Sequence, residues 1–142
     1  MRVFFDTNVL LDVLLTRPGL EVESRELWNT VEADKIEGLV SAVSISTIYY
    51  LAYKMSRDRA FAMNCISRIS NIFEIAEVNA VVIHQAMASG MSDFEDSIQS
   101  HAAEMASVEC IVTRNVKDFR GGPVEPIAPG DLIDVLRAIG RL

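Results

Sequence analysis

The sequence predicts an α/β fold, a three-layer sandwich around a central parallel sheet of four or five strands. Three observations predict it. Short apolar runs alternate with stretches of helical periodicity from one end of the chain to the other. Gly, Pro, Asn and Asp punctuate the boundaries between the two kinds of segment. Strands that alternate with helices pair in parallel and are covered on both faces.

Arg2-Val3-Phe4-Phe5 reads as a short buried strand, followed by Asp6-Thr7-Asn8 and then by Val9, Leu10, Val13 and Leu14 at helical spacing. Arg17-Pro18-Gly19 ends that helix. Glu21 to about Asp34 is a second helix with Leu27, Trp28 and Val31 on one face. Gly38 to Ala42 is a second strand. The helix starting at Ser44 carries Ile45, Ile48, Ala52 and Met55 as its apolar stripe. Asp58 is the expected N-cap of a helix running to about Ser70, and Ile72 to Val78 is a third strand. Asn79 caps a helix holding Val82, Ile83 and Ala86 and ended by Gly90. Ser92-Asp93-Phe94-Glu95 fits a capping box with Ser92 at the N-cap, opening a helix that turns Ile98, Ala102 and Met105 inward. Glu109 to Thr113 is a fourth strand. Gly121-Gly122-Pro123 is a turn, Val124 to Ala128 a fifth strand at a sheet edge that tolerates Pro126, and Pro129 opens the last helix at N1.

With 142 residues, 50% of them hydrophobic, the chain is expected to form one domain over residues 1–142 with a substantial core. No apolar run approaches the ~18 residues that span a bilayer, and no signal-peptide pattern opens the chain, so the expected location is the cytoplasm and no membrane partner is expected. Cys65 and Cys110 sit in apolar surroundings and read as buried free thiols. A net charge of −7 argues against a general nucleic-acid-binding surface, which needs Lys and Arg. It leaves room for a metal-dependent nuclease, because carboxylates that hold divalent cations count as negative in a sequence sum. No Gly-rich phosphate loop, nucleophile elbow or Ser/His/Asp order is present. His84 and His101 lack partners at ligand spacing and read as structural or surface residues.

Open parallel sheets place their sites beyond the carboxyl ends of the strands. Asp6 follows the first strand, and Thr113-Arg114-Asn115 follow the fourth, with Asp118 one turn on. Asp93 and Asp96 stand three residues apart at a helix start, so both can face one way. Taken singly, each has an ordinary reading: a cap for Asp6 and Asp93, a solvated loop acid for Asp118. Together they form an oxygen-only donor set suited to a hard cation, Mg²⁺ or Mn²⁺. Tyr49, Tyr50 and Tyr53 fit core or interface positions better than base stacking.

Phe4-Phe5-Asp6-Thr7-Asn8, Asp93-Phe94-Glu95-Asp96 and Thr113-Arg114-Asn115-Val116-Lys117-Asp118-Phe119, in that order, resemble the motifs of the PIN-domain ribonucleases and, within them, the VapC-like toxin branch. The resemblance implies a parallel-sheet sandwich, Mg²⁺- or Mn²⁺-dependent endoribonuclease activity on RNA, a homodimer, and an antitoxin protein as partner. It assigns Asp6, Asp96 and Asp118 to the ion, with Asp93 as a ligand or held through water. Thr47, Asn115 and Thr113 would orient water or phosphate, and Arg114 or Lys117 would contact the RNA backbone. The sequence departs from the pattern in two places. Thr47, or on a shifted register Tyr50, stands where the family usually has a Glu on the helix after the second strand, with no acid between Glu37 and Asp58, and Asn115 stands where many members have Asp. Asp93 and Glu95 are the acids nearest to hand for the lost charge. Two other readings stay open at this point: a weakened metal site serving as a binding or regulatory module, and a nuclease or phosphatase acting on DNA or small phosphates.

Overall fold

The computed structural model describes residues 1–142. The elements run β1 (Arg2–Phe5), α1 (Thr7–Leu14), α2 (Glu21–Glu32), β2 (Glu37–Ser41), α3 (Ala42–Ser56), α4 (Arg59–Ile72), β3 (Glu74–Ala76), α5 (Ala80–Ala88), α6 (Phe94–Met105), β4 (Cys110–Val112), α7 (Val116–Phe119), β5 (Pro126–Ile127) and α8 (Pro129–Ala138). The five strands form one sheet in the order β3-β2-β1-β4-β5, and every pairing is parallel. The expected three-layer α/β sandwich is the observed one, with the upper of the two strand numbers.

Alternation along the strands sorts side chains to the two faces. Val3 and Phe5 of β1, Val40 of β2 and Val112 of β4 join Leu10, Leu27, Trp28, Ile48, Ile69, Leu132 and Leu136, beneath α1 to α4 and α8. Phe4, Leu39 and Ile111 point the other way, to Val82, Ala86, Ile98, Ala102 and Phe119 of α5, α6 and α7. Phe73 packs edge-on against both Phe5 and Trp28, with ring centroids 5.0 Å apart in each pair. Gly38 of β2 passes so close to Phe73 that a Cβ there would lie 2.6 Å from Cδ1. Cys65 and Cys110 are buried free thiols. No helix is long and apolar enough to cross a membrane.

Three local expectations are corrected. Asp93, not Ser92, is the N-cap of α6, and its carboxylate accepts the Asp96 backbone N–H at 2.9 Å. Both residue types cap well, and the helix starts one position later than the capping box implies. Met55 and Met105, placed on inward stripes, are 54% and 40% exposed. They sit in the last turns of α3 and α6, where the cover has run out. The segment after β4 also contains one turn of helix, α7, that periodicity over four residues could not show. Pro126 lies in β5, an edge strand, where its missing N–H costs no ladder bond.

Candidate active site

β1 leads into β2 on one side, while β4 pairs on its other side, so the strand order reverses direction between β1 and β4. Crevices outside the carboxyl ends of strands at such a switch point are where open α/β sheets bind ligands. The register Phe5↔Val112 places the next residues, Asp6 and Thr113, side by side at that edge. The Asp6 N–H continues the ladder to Val112 O at 3.0 Å, and the Thr113 N–H does the same to Ile127 O at 3.0 Å.

Asp6 occupies the N-cap position of α1, yet its side chain makes no capping bond. Its carboxylate is only 2% exposed and is held from two sides. The Thr113 hydroxyl donates to Oδ2 at 2.9 Å and Gln99 Nε2 donates to Oδ1 at 3.3 Å. Gln99 is held in turn by the Thr7 backbone N–H, which donates to Oε1 at 3.3 Å, while the Thr7 hydroxyl donates to Ser44 Oγ at 2.7 Å. Thr113 Oγ1 also accepts the Asn115 N–H at 3.0 Å, so one hydroxyl ties Asp6 to the segment after β4. Burial raises the pKa of Asp6, and its bonds from Thr113 and Gln99 oppose that rise.

A cavity of about 320 Å³ opens here, lined by Asp6, Thr47, Asp93, Glu95, Asp96, Gln99, Asn115 and Asp118 among others. α1 and β1 supply Asp6, the first turn of α6 supplies Glu95 and Asp96 behind their cap Asp93, α7 supplies Asp118, and α3 supplies Thr47. Phe119 is buried against the sheet and pins α7, leaving Asp118 exposed toward the cavity. The Thr47 hydroxyl lies 3.5 Å from Glu95 Oε1. Asp96 is pushed from an ordinary 3.8 up to about 7, first by burial and then by the charges of Asp93, Asp6, Asp118 and Glu95. Glu95 is raised by burial and by Asp93 and Asp6.

No three Asp, Glu, His or Cys side chains close on one point as a finished ligand set; the acids stand around the cavity wall with space between them. The donor set is nevertheless all oxygen, and its acids repel one another. A hard divalent cation fits that chemistry, and it would relieve the repulsion. Neither histidine belongs to the cavity, and His101 Nδ1 lies 2.8 Å from Ser97 O. Tyr49, Tyr50 and Tyr53 do not line it either; Tyr49 and Tyr53 stack on each other at 6.5 Å on α3.

Beside the acid cavity is a second recess of about 390 Å³, lined by Arg114, Asn115, Lys117, Asp118 and Arg120. Lys117 is exposed there. Arg114, expected to share the backbone-contacting role, is turned inward instead. Its Nε lies 2.8 Å from Oδ2 of Asp12, and its Nη2 donates to Oδ1 at 3.1 Å. Asp12 and Gln99 are the residues that sequence reasoning missed. Asp12 had a signal: one acid inside an otherwise apolar helix needs a partner. Gln99 had only its position three residues after Asp96, on the same helix face.

The fold and the site define an α/β protein with a carboxylate-lined crevice at the switch point of a parallel sheet. The chain belongs to the PIN domain family, whose model matches residues 2–117. It is similar to Ribonuclease VapC1 of Aquifex aeolicus (strain VF5), 29% identical over 129 residues that cover 87% of this chain and 88% of that protein. Among solved structures it resembles VapBC2 from Rickettsia felis bound to a DNA fragment from its promoter, with TM-score 0.69 at 16% identity, covering 90% of this chain and 98% of that one. It also resembles a toxin-antitoxin complex from Klebsiella pneumoniae, with TM-score 0.65 at 22% identity over 89% and 97% of the two chains. At those identities the structural matches show the fold.

Proposed function

We propose that this chain is a divalent-metal-dependent endoribonuclease and the toxin of a toxin–antitoxin pair. The observation that carries the reading is the gathering of Asp6, Asp93, Glu95, Asp96 and Asp118 around one cavity at the sheet's carboxyl edge. The relative named a ribonuclease and the resemblance to toxin–antitoxin complexes support RNA as substrate and an antitoxin as partner. The alternative of a weakened site kept only as a binding module finds no support in those comparisons. Glu95 beside Thr47 also supplies an acid where α3 lacks one.

Asp6, Asp96 and Asp118 would hold Mg²⁺ or Mn²⁺, with Asp93 as ligand or through water and Glu95 completing the wall above Thr47. When bound, the cation supplies charge neutralisation for the phosphodiester and lowers the cost of generating a nucleophile from water. The protein's own groups prepare the rest. Thr113 and Gln99 hold the Asp6 carboxylate in one orientation, which would present it to the ion. Thr47 and Asn115 line the cavity as neutral polar groups that can orient the attacking water. Lys117, exposed in the adjoining recess, takes a phosphate of the flanking chain. Ile45, Tyr49, Met63 and Ile66 line an apolar groove between α3 and α4, with Tyr53 stacked on Tyr49, and we assign this face to a second copy of the chain.

The test is cleavage of a fluorescently labelled single-stranded RNA with and without Mn²⁺. Wild type should cleave only with the ion, and Asp6→Asn should abolish cleavage while unfolding cooperatively like wild type. Undiminished cleavage in Asp6→Asn would move the chemistry elsewhere and reduce the family likeness to one of fold.

A further inference from the structure

We propose that the buried Asp12–Arg114 ion pair is a strut that sets the separation of two walls of the acid cavity, and that Arg114 is a positioning residue rather than a contact to RNA. The proposal rests on the functional reading above.

Asp12 lies in α1 with its side chain fully buried. An isolated carboxylate in such a place is strongly disfavoured, so it persists only with partners. It has three. Arg114 approaches with two nitrogens, at 2.8 and 3.1 Å. Ser24 Oγ donates to Oδ2 at 3.2 Å, and Arg17 Nη1 lies 3.5 Å from Oδ1. Nη2 donates a hydrogen bond and Nε stands at ion-pair distance without one, so the planar guanidinium is held in both orientation and distance.

The pair joins the two parts of the chain that most need to be kept in register. α1 begins at the cavity, to which it gives Thr7, Asn8 and Leu11 directly after Asp6. Arg114 stands between Thr113, which holds Asp6, and Asn115 and Asp118, which face the cavity. Asn115 and Asp118 are exposed, and α7 is a single turn. Thr113 tethers the start of this segment and Phe119 its end. Arg114 is the one residue between them with a buried partner on α1. Released from Asp12, the 114–118 segment keeps its ends but loses its fixed distance from Asp6. Ion affinity then falls, because Asn115 and Asp118 are no longer held at one separation from Asp6 across the cavity.

Arg114→Gln, Arg114→Lys, Asp12→Asn and the double variant Asp12→Asn/Arg114→Gln test this. In the Arg114 variants Asp12 keeps Arg17 and Ser24, and in Asp12→Asn the partly exposed Arg114 can turn to solvent, so the fold is retained; thermal unfolding checks it. Calorimetric Mn²⁺ titration of each single variant should show affinity weakened about tenfold or more. The double variant should be no worse than the weaker single one, since both act through one contact. At saturating Mn²⁺, KM for the labelled RNA and its salt dependence should stay at the wild-type values, and Arg114→Lys should be impaired in Mn²⁺ binding because it keeps the charge but lacks the planar guanidinium. Should Asp12→Asn fail to fold, the comparison of Arg114→Gln with Arg114→Lys still decides. Unchanged Mn²⁺ affinity in the folded Arg114 variants overturns the strut. So does a raised KM in Arg114→Gln whose salt dependence is flatter by about 0.7 in log–log slope, preserved in Arg114→Lys, because that is the loss of one phosphate contact. A wild-type protein that neither binds Mn²⁺ nor cleaves RNA overturns the functional reading and the strut together. A wild type that does both beside unaffected variants overturns the strut alone.

Discussion

Replacing Asp96 by asparagine should stabilise the metal-free protein above neutral pH. Asp96 is raised from 3.8 to about 7 by burial and by Asp93, Asp6, Asp118 and Glu95. Its folded-state pKa therefore lies above its unfolded value. Between pH 4 and pH 7 the folded state holds a proton that the unfolded chain has released, so stability falls as pH rises and levels off above about 7. At about 1.4 kcal/mol per tenfold in acidity, the full span is worth about 4 kcal/mol; solvent reaches the group, and screening brings this to about 1–3 kcal/mol. For a chain of this size that is roughly 3–10 °C in Tm. The assay is thermal unfolding in EDTA at pH 5.5, 7.0 and 8.5. Wild type should lose stability across the series, and Asp96→Asn should lose much less and exceed wild type at pH 8.5. Adding Mn²⁺ should reverse the wild-type trend, because binding the ion requires Asp96 to give up its proton. A metal-free wild type whose Tm is the same at pH 5.5 and 8.5 would refute the crowding on which the site assignment depends.

Thr47→Glu should tighten Mn²⁺ binding by about tenfold or more, since it adds an anion beside Glu95, and should lower the Tm of the ion-free protein by the same crowding; unchanged affinity by calorimetry would show that Thr47 does not face the ion. Gly38→Ala should destabilise by about 1–3 kcal/mol in urea unfolding, because its methyl would meet the ring of Phe73 and the side chain of Val31; a neutral result would mean that Phe73 can move aside. Light scattering at micromolar concentration should give a dimer mass, and Tyr53→Lys with Met63→Lys should shift it to the monomer; a wild-type monomer would remove the role given to the α3–α4 face.

The parallel sheet and the facing of Asp6, Asp96 and Asp118 onto one cavity were legible because each depends on chain position more than on side-chain detail. An acid directly after a strand stays at the sheet's edge whatever rotamer it takes, and parallel pairing brings distant strand ends together. Ser92 and Asp93 show where legibility ends: two good capping residues stand side by side, and only the helix start decides between them. Arg114 shows it again. Position puts its Cα beside the site, but the direction of its side chain is decided by Asp12, one hundred and two residues away in sequence. Gln99 is the extreme case, an amide whose importance comes from the carboxylate it touches.

The acidity of the chain, which counted against nucleic-acid binding, is concentrated where a cation would act. Five acids line the cavity; take their five charges from a net −7 and the remaining chain carries −2. The cation-bearing recess of Lys117 and Arg120 adjoins these acids through Asn115 and Asp118, which line both hollows. Without an ion, a phosphate drawn toward Lys117 meets the field of the neighbouring carboxylates and is repelled within a Debye length of about 8 Å. An ion in place would neutralise that field, and Lys117 and the site would then pull in the same direction. On the proposed reading, RNA affinity should depend on the metal before any bond is cut, so an RNA that binds equally well in EDTA and in Mn²⁺ would have to be held by some other face of the molecule.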